Sequence, residues 1–203
     1  SQPYEALKHP NRIYSHTGNF WFNDHSFEEL DGQAFPEKNK MLSTVCSTKQ
    51  QKYTLHKKRY DFCHWLKSQL DELQIYGHGT DYIDKKFEVL DPFRFHLAIE
   101  NYVGPHHWTE KLADPFLSGA FPIYYGCNSL NQYFPKESYL QIDLSHPHES
   151  LEKIQSVIKD EDFYVSRIEA LYEANLIVLR DYNLLFLIGR IVEKNNMPVA
   201  RSS

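Results

Sequence analysis

A cluster of polar and ionisable side chains lies within residues 96–116, where an apolar run passes into a helical pattern. A carboxylate and an amide at the end of a buried strand are costly without partners, so they predict either hydrogen bonds to the next loop or contacts to a ligand. In the first turn of a helix, a glutamate can simply stabilise the helix start, whereas a lysine opposes the helix dipole unless an anion is bound nearby. The segment therefore predicts a structural hydrogen-bond network or an anion site. The side chains concerned are Glu100, Asn101, His106, His107, Glu110 and Lys111.

A second candidate for chemistry is the basic segment of residues 40–59, which contains no acidic residue. Ser47 and Thr48 lie in the loop after the first apolar run of this segment, and a helical pattern follows them. Hydroxyl and backbone N–H groups at such a helix start favour a phosphate group. The alternative is a solvated helix face, which is the usual role of a charge run. The basic residues are Lys40, Lys49, Lys52, Lys57, Lys58 and Arg59.

No metal site is expected from the spacing of possible ligands. His106 and His107 are adjacent, and adjacent side chains rarely converge on one ion. The three cysteines, Cys46, Cys63 and Cys127, form no C-x-x-C pair and are too few for a disulfide framework. They indicate a reducing compartment.

Charge and hydropathy argue against two broad classes of protein, nucleic-acid-binding domains and proteins with a signal peptide or a membrane-spanning helix. The net charge is -5 and the pI is about 6.1, which argues against a domain whose main role is to bind nucleic acid phosphates. A nucleic-acid-binding domain based on the basic segment would instead show steeply salt-dependent binding. The sequence has no signal peptide pattern and no run of about 20 apolar residues that could cross a bilayer.

Short apolar runs alternate with helical patterns from Met41 onward. This alternation predicts a parallel sheet with helices on both faces, the Rossmann-like α/β fold. Ligands of such sheets bind outside the carboxyl ends of the strands, so the polar segments are expected to meet at one edge. The predicted strands are "MLSTVCS", "QIYG", "RFHLAIEN", "FPIYYG" and "SYLQID". The predicted helices cover residues 55–73, 109–120, 146–160 and 161–195. Pro115 is expected to bend or end the first part of the second helix, and the fourth helix is expected to break near Asp181.

The chain divides into one principal domain and two flanking segments. Residues 1–39 show no sustained period and predict an irregular entry segment, a linker or the remnant of an upstream domain. Residues 40–195 carry the alternating pattern, and residues 196–203 predict a disordered tail. Because the chain opens without a methionine, we expect it to be a fragment of a longer protein.

The segment "FRFHLAIENYVGPHHWTEKLADPFLSGAFPIYYGCNSLNQYFPKESYLQID" resembles the signature region of the α-1,3/4-fucosyltransferases, glycosyltransferase family 10. It contains, in the order of that family, a strand ending in I-E-N, a T-E-K-L motif, a P-I-x-x-G strand and an F-P-x-x-S-Y-L element. The resemblance extends upstream through "VCSTK", "HKKRYDFCHWL" and "YGHG" and covers about residues 40–195.

The resemblance implies a GT-B enzyme of two Rossmann-like domains, in which the C-terminal domain binds a guanine nucleotide sugar and the N-terminal domain binds the acceptor. This chain resembles the C-terminal half. Arg59 and Lys111 match family positions at the donor diphosphate, and His107 stands where the family often has tyrosine. With the loop and strand-end positions described above, the expected donor-binding residues are Ser47, Thr48, Arg59, Glu100, Asn101, His107, Glu110 and Lys111.

The reaction implied by the resemblance is transfer of L-fucose from GDP-fucose to an acceptor hydroxyl with inversion. No metal or other cofactor is expected, because Arg59 and Lys111 would carry the positive charge that stabilises the leaving diphosphate. The catalytic base is expected in the acceptor domain, and no residue of this chain is assigned to it. Two alternatives stay open: a nucleotide-binding module that does not catalyse, and a transferase of the same family with a different nucleotide sugar.

The expected partners are a nucleotide sugar donor and a glycan acceptor, with no nucleic acid. Bacterial members of the family suggest lipopolysaccharide or capsule as the acceptor. The expected location is therefore the cytoplasm, with peripheral association at the inner face of a bacterial membrane. The last predicted helix would pack towards the missing domain, so residues 184–186 should be partly exposed in the isolated chain.

Overall fold

A five-stranded parallel sheet forms the centre of the computed structural model, which describes residues 25–51 and 54–196. The strands are β1 (Lys40–Val45), β2 (Leu73–Tyr76), β3 (Phe93–Gly104), β4 (Phe121–Cys127) and β5 (Leu140–Gln141). Their order in the sheet is β2-β1-β3-β4-β5, and every neighbouring pair is parallel. All five predicted strands are present, although β5 has only two residues and follows a 3-10 turn at Lys136–Ser138.

Seven α-helices connect and cover the strands in the described part of the chain. They are α1 (Phe27–Leu30), α2 (His56–Gln69), α3 (Glu110–Ser118), α4 (Pro147–Ile158), α5 (Phe163–Ser166), α6 (Ile168–Leu176) and α7 (Leu184–Asn196). A π-helical turn at Ile177–Asp181 separates α6 from α7, which confirms the predicted break near Asp181. No helix of the described residues is long and apolar enough to cross a membrane.

Helices lie on both faces of the sheet. Side chains alternate between the two faces along a strand, so Ser43 of β1 and Cys46, the residue directly after β1, point in opposite directions. The Cys46 thiol contacts Cys63 of α2 on one face. On the other face the Ser43 hydroxyl donates to the Val89 carbonyl at 2.7 Å, in the 3-10 turn that leads towards β3. The predicted Rossmann-like α/β fold is therefore confirmed.

The strand order places a switch point between β1 and β3. The chain leaves β1 through α2 and moves outward to β2, and it leaves β3 through α3 and moves in the other direction to β4. The two connections diverge, so they leave a crevice beyond the carboxyl ends of β1 and β3. Crevices of this kind are the usual ligand sites of open parallel sheets.

Helix α3 begins and ends at well-defined caps. The Thr109 hydroxyl accepts a hydrogen bond from the Lys111 N–H at the start, and Gly119 adopts the left-handed conformation at the end, with φ of 73°. The sequence predicted that Pro115 bends or ends the first part of this helix; the helix continues through Pro115, so the second alternative is wrong. Proline removes a single backbone bond, and full burial of Leu112 and Phe116 stabilises the helix by roughly 1.5–3 kcal/mol for each side chain.

Parts of the sequence-based domain division lie outside the described residues. Of the predicted entry segment, residues 1–24 are not described, and residues 25–39 contain only α1 as regular structure. The predicted tail falls on residues 197–203, which are also outside the description, while Asn196 belongs to α7. The expected exposure at the start of α7 is confirmed, because Leu185 is 68% and Phe186 is 44% exposed.

We expect Gly119→Ala to lower the free energy of unfolding by more than about 1 kcal/mol, because alanine disfavours the left-handed conformation. In addition, its Cβ would collide with the ring of Phe35. Urea denaturation of both proteins measures the difference. Gly32→Ala is the matched control, since Gly32 also has a positive φ but no atom within 4 Å of the added carbon. Equal losses in the two variants would contradict the packing role of Gly119.

Candidate active site

Arg59 and Asn101 join the start of α2 to the end of β3. Arg59 is 7% exposed and lies in the first turn of α2, where its Nη1 donates to Oδ1 of Asn101 at 3.0 Å. The backbone supports the same junction, because the Leu55 N–H donates to the Asn101 carbonyl at 3.1 Å. The guanidinium is thus fixed at the crevice between β1 and β3.

Glu100 is fully buried and holds the start of α3. Its Oε1 accepts from the Thr109 N–H at 2.8 Å, and its Oε2 lies 2.8 Å from the Thr109 hydroxyl. Burial raises the pKa of Glu100, while the nearby Lys111 ammonium and the Thr109 hydrogen bonds oppose this rise. Of the two roles considered for Glu100, the structure favours hydrogen bonding to the next loop.

Lys111 lies between two carboxylates at the head of α3. Its Nζ is 2.7 Å from Oε1 of Glu110 and 3.8 Å from Oε2 of Glu100. Burial would raise the pKa of Glu110, but the hydrogen bond and charge of Lys111 lower it overall. Without a ligand, these carboxylates offset the conflict between the ammonium and the helix dipole.

A cavity of about 170 Å³ opens at this crevice. Four of the expected donor-binding residues line it: Ser47, Arg59, Glu110 and Lys111. Asn101 and Glu100 do not line the cavity but contact Arg59 and Lys111. The structure therefore collects residues from three separate sequence segments at one point, as the switch point of a parallel sheet allows.

Positive charge is concentrated at this end of the cavity. His56 opens α2, and its pKa is lowered by burial and then by the charges of Arg59, Lys49 and Lys111. The positive charges of Arg59, Lys49 and Lys111 thus all reach His56, the first residue of α2. Such a field, together with the free N–H groups of helix N-termini, favours an anion with more than one negative charge. Three other basic residues of the segment lie elsewhere: Lys57 pairs with Asp61 on the exposed surface, Lys58 donates to Ser145, and Lys40 lies over the Phe93 ring. Lys52 lies outside the described residues.

Two further expected residues, Thr48 and His107, also do not line the cavity. The Thr48 hydroxyl and N–H donate to the His78 carbonyl at 3.3 and 3.1 Å, so Thr48 ties the loop after β1 to the loop after β2. The His107 ring packs edge-on against Tyr102 at 5.3 Å, while the His106 ring lies 2.7 Å from the Tyr133 hydroxyl. The adjacent histidines thus make separate contacts, and among the described residues no group of three His, Cys, Asp or Glu could hold a metal ion.

Three further ionisable residues, which were not predicted from the sequence, line the cavity: Lys86, His96 and Asp114. Asp114 is 2% exposed, and burial raises its pKa to about 6 despite the Lys86 ammonium at 2.8 Å. Burial also lowers the pKa of His96 to about 3, and its Nδ1 lies 2.8 Å from the Ser43 hydroxyl. The sequence contained one signal for Asp114. It follows Glu110 by four residues and Lys111 by three, and residues at these spacings lie on the same face of a helix.

We expect Thr109→Ala to lower the free energy of unfolding by about 2–4 kcal/mol, because it removes the helix cap and leaves the buried Glu100 carboxylate without its hydroxyl partner. Thermal and urea denaturation measure the loss. Thr109→Ser keeps the hydroxyl and both hydrogen bonds, so it should stay close to the parent protein. A serine variant as unstable as the alanine variant would show that the hydroxyl is not the stabilising group.

The family comparison locates a known domain in this chain. The sequence model described as glycosyltransferase family 10 (fucosyltransferase) C-term matches residues 35–169. The chain is 35% identical over 88 residues to GDP-fucose protein O-fucosyltransferase 3 of Bos taurus, which covers 42% of this chain and 18% of that protein. It is 29% identical over 101 residues to 4-galactosyl-N-acetylglucosaminide 3-alpha-L-fucosyltransferase 9 of Cricetulus griseus, which covers 47% of this chain and 28% of that protein. The matched region thus spans less than a third of each relative.

The fold is similar to that of a solved α1,3-fucosyltransferase in complex with GDP-fucose. The TM-score is 0.56 at 23% sequence identity, and the match covers 84% of this chain and 52% of the solved one. The chain therefore spans about half the length of that structure. The likeness confirms the Rossmann-like α/β fold of one half of a GT-B glycosyltransferase.

Proposed function

Because the chain belongs to glycosyltransferase family 10, we propose that it supplies the donor-binding half of a fucosyltransferase that transfers L-fucose from GDP-fucose. The observation that carries this proposal is the meeting of Arg59 and Lys111 at the switch point of the sheet, where both line one cavity. The same donor is supported by one relative, a GDP-fucose protein O-fucosyltransferase, and by the similar solved structure that contains GDP-fucose.

The diphosphate of the donor would bind between α2 and α3. Arg59 offers a planar guanidinium whose orientation is fixed by Asn101, and a fixed fork suits two phosphate oxygens. Lys111 is a point charge that can exchange its contact with Glu110 for a phosphate oxygen. Both cations would stabilise the negative charge that develops on GDP as the bond to fucose breaks.

The reaction we propose is a single displacement with inversion. The acceptor hydroxyl attacks the anomeric carbon from the side opposite the diphosphate, the bond between that carbon and the phosphate oxygen breaks, and a base takes the hydroxyl proton. Glu100 is engaged by Thr109, and Glu110 is engaged by Lys111. Neither of these carboxylates is assigned as the base, and we propose, as the family resemblance implies, that the base belongs to the acceptor-binding domain.

The acceptor is proposed to be a sugar hydroxyl of a glycan. The two relatives named above act, by their names, on a protein and on a galactosyl-N-acetylglucosaminide, so the family comparison supports fucosyl transfer without fixing one acceptor. Lipopolysaccharide or capsule as acceptor, and a location at the inner face of a bacterial membrane, stay predictions.

A nucleotide-binding module without catalytic activity is the second candidate. It is favoured by the length of the chain, which corresponds to about half of the solved fucosyltransferase, and by the contacts that already engage Glu100 with Thr109 and Glu110 with Lys111. Slow hydrolysis of GDP-fucose by the purified chain would support the transferase. A donor that remains intact after prolonged incubation, despite binding, would support the module.

We expect calorimetric titration to detect binding of GDP and GDP-fucose and to detect no binding of UDP-glucose. Arg59→Ala and Lys111→Ala should each weaken GDP binding roughly tenfold to a hundredfold, because each removes a charge-assisted contact to phosphate. Lys67→Ala is the matched control for loss of a positive charge, since Lys67 lies at the far end of α2 and donates to the Asp71 carbonyl. Absence of GDP binding by the folded chain would overturn the proposal.

Removal of divalent metal should leave the dissociation constant of GDP unchanged. In our proposal Arg59 and Lys111 neutralise the diphosphate, so no metal ion is needed to bind it. Parallel titrations in EDTA and in excess Mg²⁺ measure the effect at constant ionic strength. Weaker binding in EDTA that Mg²⁺ restores would show that a metal ion contributes to the donor site.

A further inference from the structure

Two cysteine thiols lie in contact directly behind the wall of the proposed donor cavity. Cys46 follows the last residue of β1, and Cys63 lies in the middle of α2. Both are free thiols without exposed surface, and a hydrogen bond joins their side chains. The residues on either side of Cys46, Val45 and Ser47, line the cavity. The pair is therefore close to the cavity although it is buried.

Arg59 connects the thiol pair to the cavity. It precedes Cys63 by four residues, so both lie on the same face of α2. Its Nη1 donates to Asn101, but its buried Nε–H has no hydrogen-bond partner among the described residues. Buried N–H groups normally have an acceptor. The sulfur of Cys46 lies beside the guanidinium and becomes a good acceptor when the thiol ionises.

The two thiols differ in acidity. The hydrogen bond from Cys63 lowers the pKa of Cys46 against the effect of burial, and the charge of Arg59 lowers it further. The same hydrogen bond and burial raise the pKa of Cys63. Cys46 is thus the thiolate of the pair, and Cys63 is the neutral thiol. A thiolate reacts with an oxidant first, and a neighbouring thiol then resolves the product into a disulfide.

We infer that Cys46 and Cys63 form a reversible disulfide, in which Cys46 reacts first with a hydroperoxide oxidant. The Cys46 thiolate attacks one oxygen of hydrogen peroxide, the O–O bond breaks, and the departing hydroxide takes up the proton that Cys46 had released. The sulfur of Cys63 then attacks the sulfenic sulfur, the S–O bond breaks, and the Cys63 proton leaves with the hydroxyl group. Two thiols are oxidised, one peroxide is reduced, and two waters form.

A disulfide of this kind is expected to be transient. The cysteine content indicates a reducing compartment, and disulfides that form in such a compartment usually serve redox sensing or catalysis. Hydrogen peroxide is small and uncharged, so it can reach a thiol behind the cavity wall more easily than a bulky disulfide reagent can. Thiol reductants reverse the bond by exchange.

The bond would change the cavity through Arg59. Two sulfur atoms in contact as thiols lie farther apart than two bonded sulfur atoms, so the disulfide draws α2 towards the end of β1. Arg59 lies one turn before Cys63 and moves with it, away from the orientation that Asn101 sets. The oxidised chain should therefore bind a diphosphate more weakly. This consequence rests on the proposed function, whereas formation of the disulfide does not.

Peroxide treatment of the purified chain at neutral pH tests the disulfide. The number of free thiols, counted after denaturation, should fall from three to one and return to three with dithiothreitol. Mass spectrometry should show the loss of two hydrogens and a linked pair of peptides that contain Cys46 and Cys63. Cys127 is the internal control, because it is also buried and its Sγ lies 3.5 Å from the Ser129 hydroxyl. Three thiols remaining, or a bond to Cys127, would overturn the inference.

Single substitutions test the order of the two steps. In Cys63→Ser the reaction should stop at a sulfenic acid on Cys46, which dimedone traps. In Cys46→Ser the neutral Cys63 should stay reduced at the same peroxide concentration. Cys127→Ser should form the disulfide as the wild-type chain does. Equal trapping at Cys63 in Cys46→Ser would overturn the assignment of Cys46 as the first thiol. Should a variant fail to fold, the thiol count and linked peptides of the wild-type chain decide the inference.

GDP titration of the reduced and oxidised chains separates this inference from the proposed function. Oxidation should weaken GDP binding roughly tenfold, as expected when one charge-assisted contact is misplaced, and dithiothreitol should restore it. Because coupling between two sites is reciprocal, bound GDP should slow formation of the disulfide. A disulfide that leaves GDP affinity unchanged would overturn its effect on the cavity. Absence of GDP binding by the reduced, folded chain would overturn the proposed function, and the thiol count would still decide whether the disulfide forms.

Discussion

The hydrogen bonds between Glu100 and Thr109 are the constraint on which the rest of the site depends. A fully buried carboxylate at the end of β3 is costly unless it is hydrogen-bonded, and the Thr109 N–H and hydroxyl provide its partners. The same hydroxyl caps α3. The strand end and the helix start are therefore held together, and this fixes where Lys111 and Asp114 face the cavity.

The proposed donor cavity has two ends with different physical roles. At the outer end, Arg59 and Lys111 supply charge, which attracts any diphosphate and carries little selectivity by itself. At the other end, Asp114 is buried and pairs with Lys86, whose side chain is 40% exposed. One helix, α3, contributes to both ends.

Most of the fold could be predicted from local patterns. The alternation of apolar runs with helical periodicity identified every strand of the sheet and the break after α6, because burial on a strand or helix face imposes a period on the sequence. Pro115 is an exception, because the sequence left open whether it bends or ends the helix, and the helix continues through it. Its effect on a helix depends on what the helix packs against, and burial of Leu112 and Phe116 outweighs the loss of a single backbone bond.

The sequence by itself determined the type of fold, the family, and the strand-end segments that hold Arg59, Asn101, Glu110 and Lys111. Only the tertiary structure decided which of these residues share a cavity, because Arg59 and Asn101 are separated by 42 positions and meet only through the order of the strands. It also brought Lys86 to Asp114 and directed Thr48 and His107 away from the cavity. Long-range contacts of this kind follow from the packing of whole elements, which no local period records.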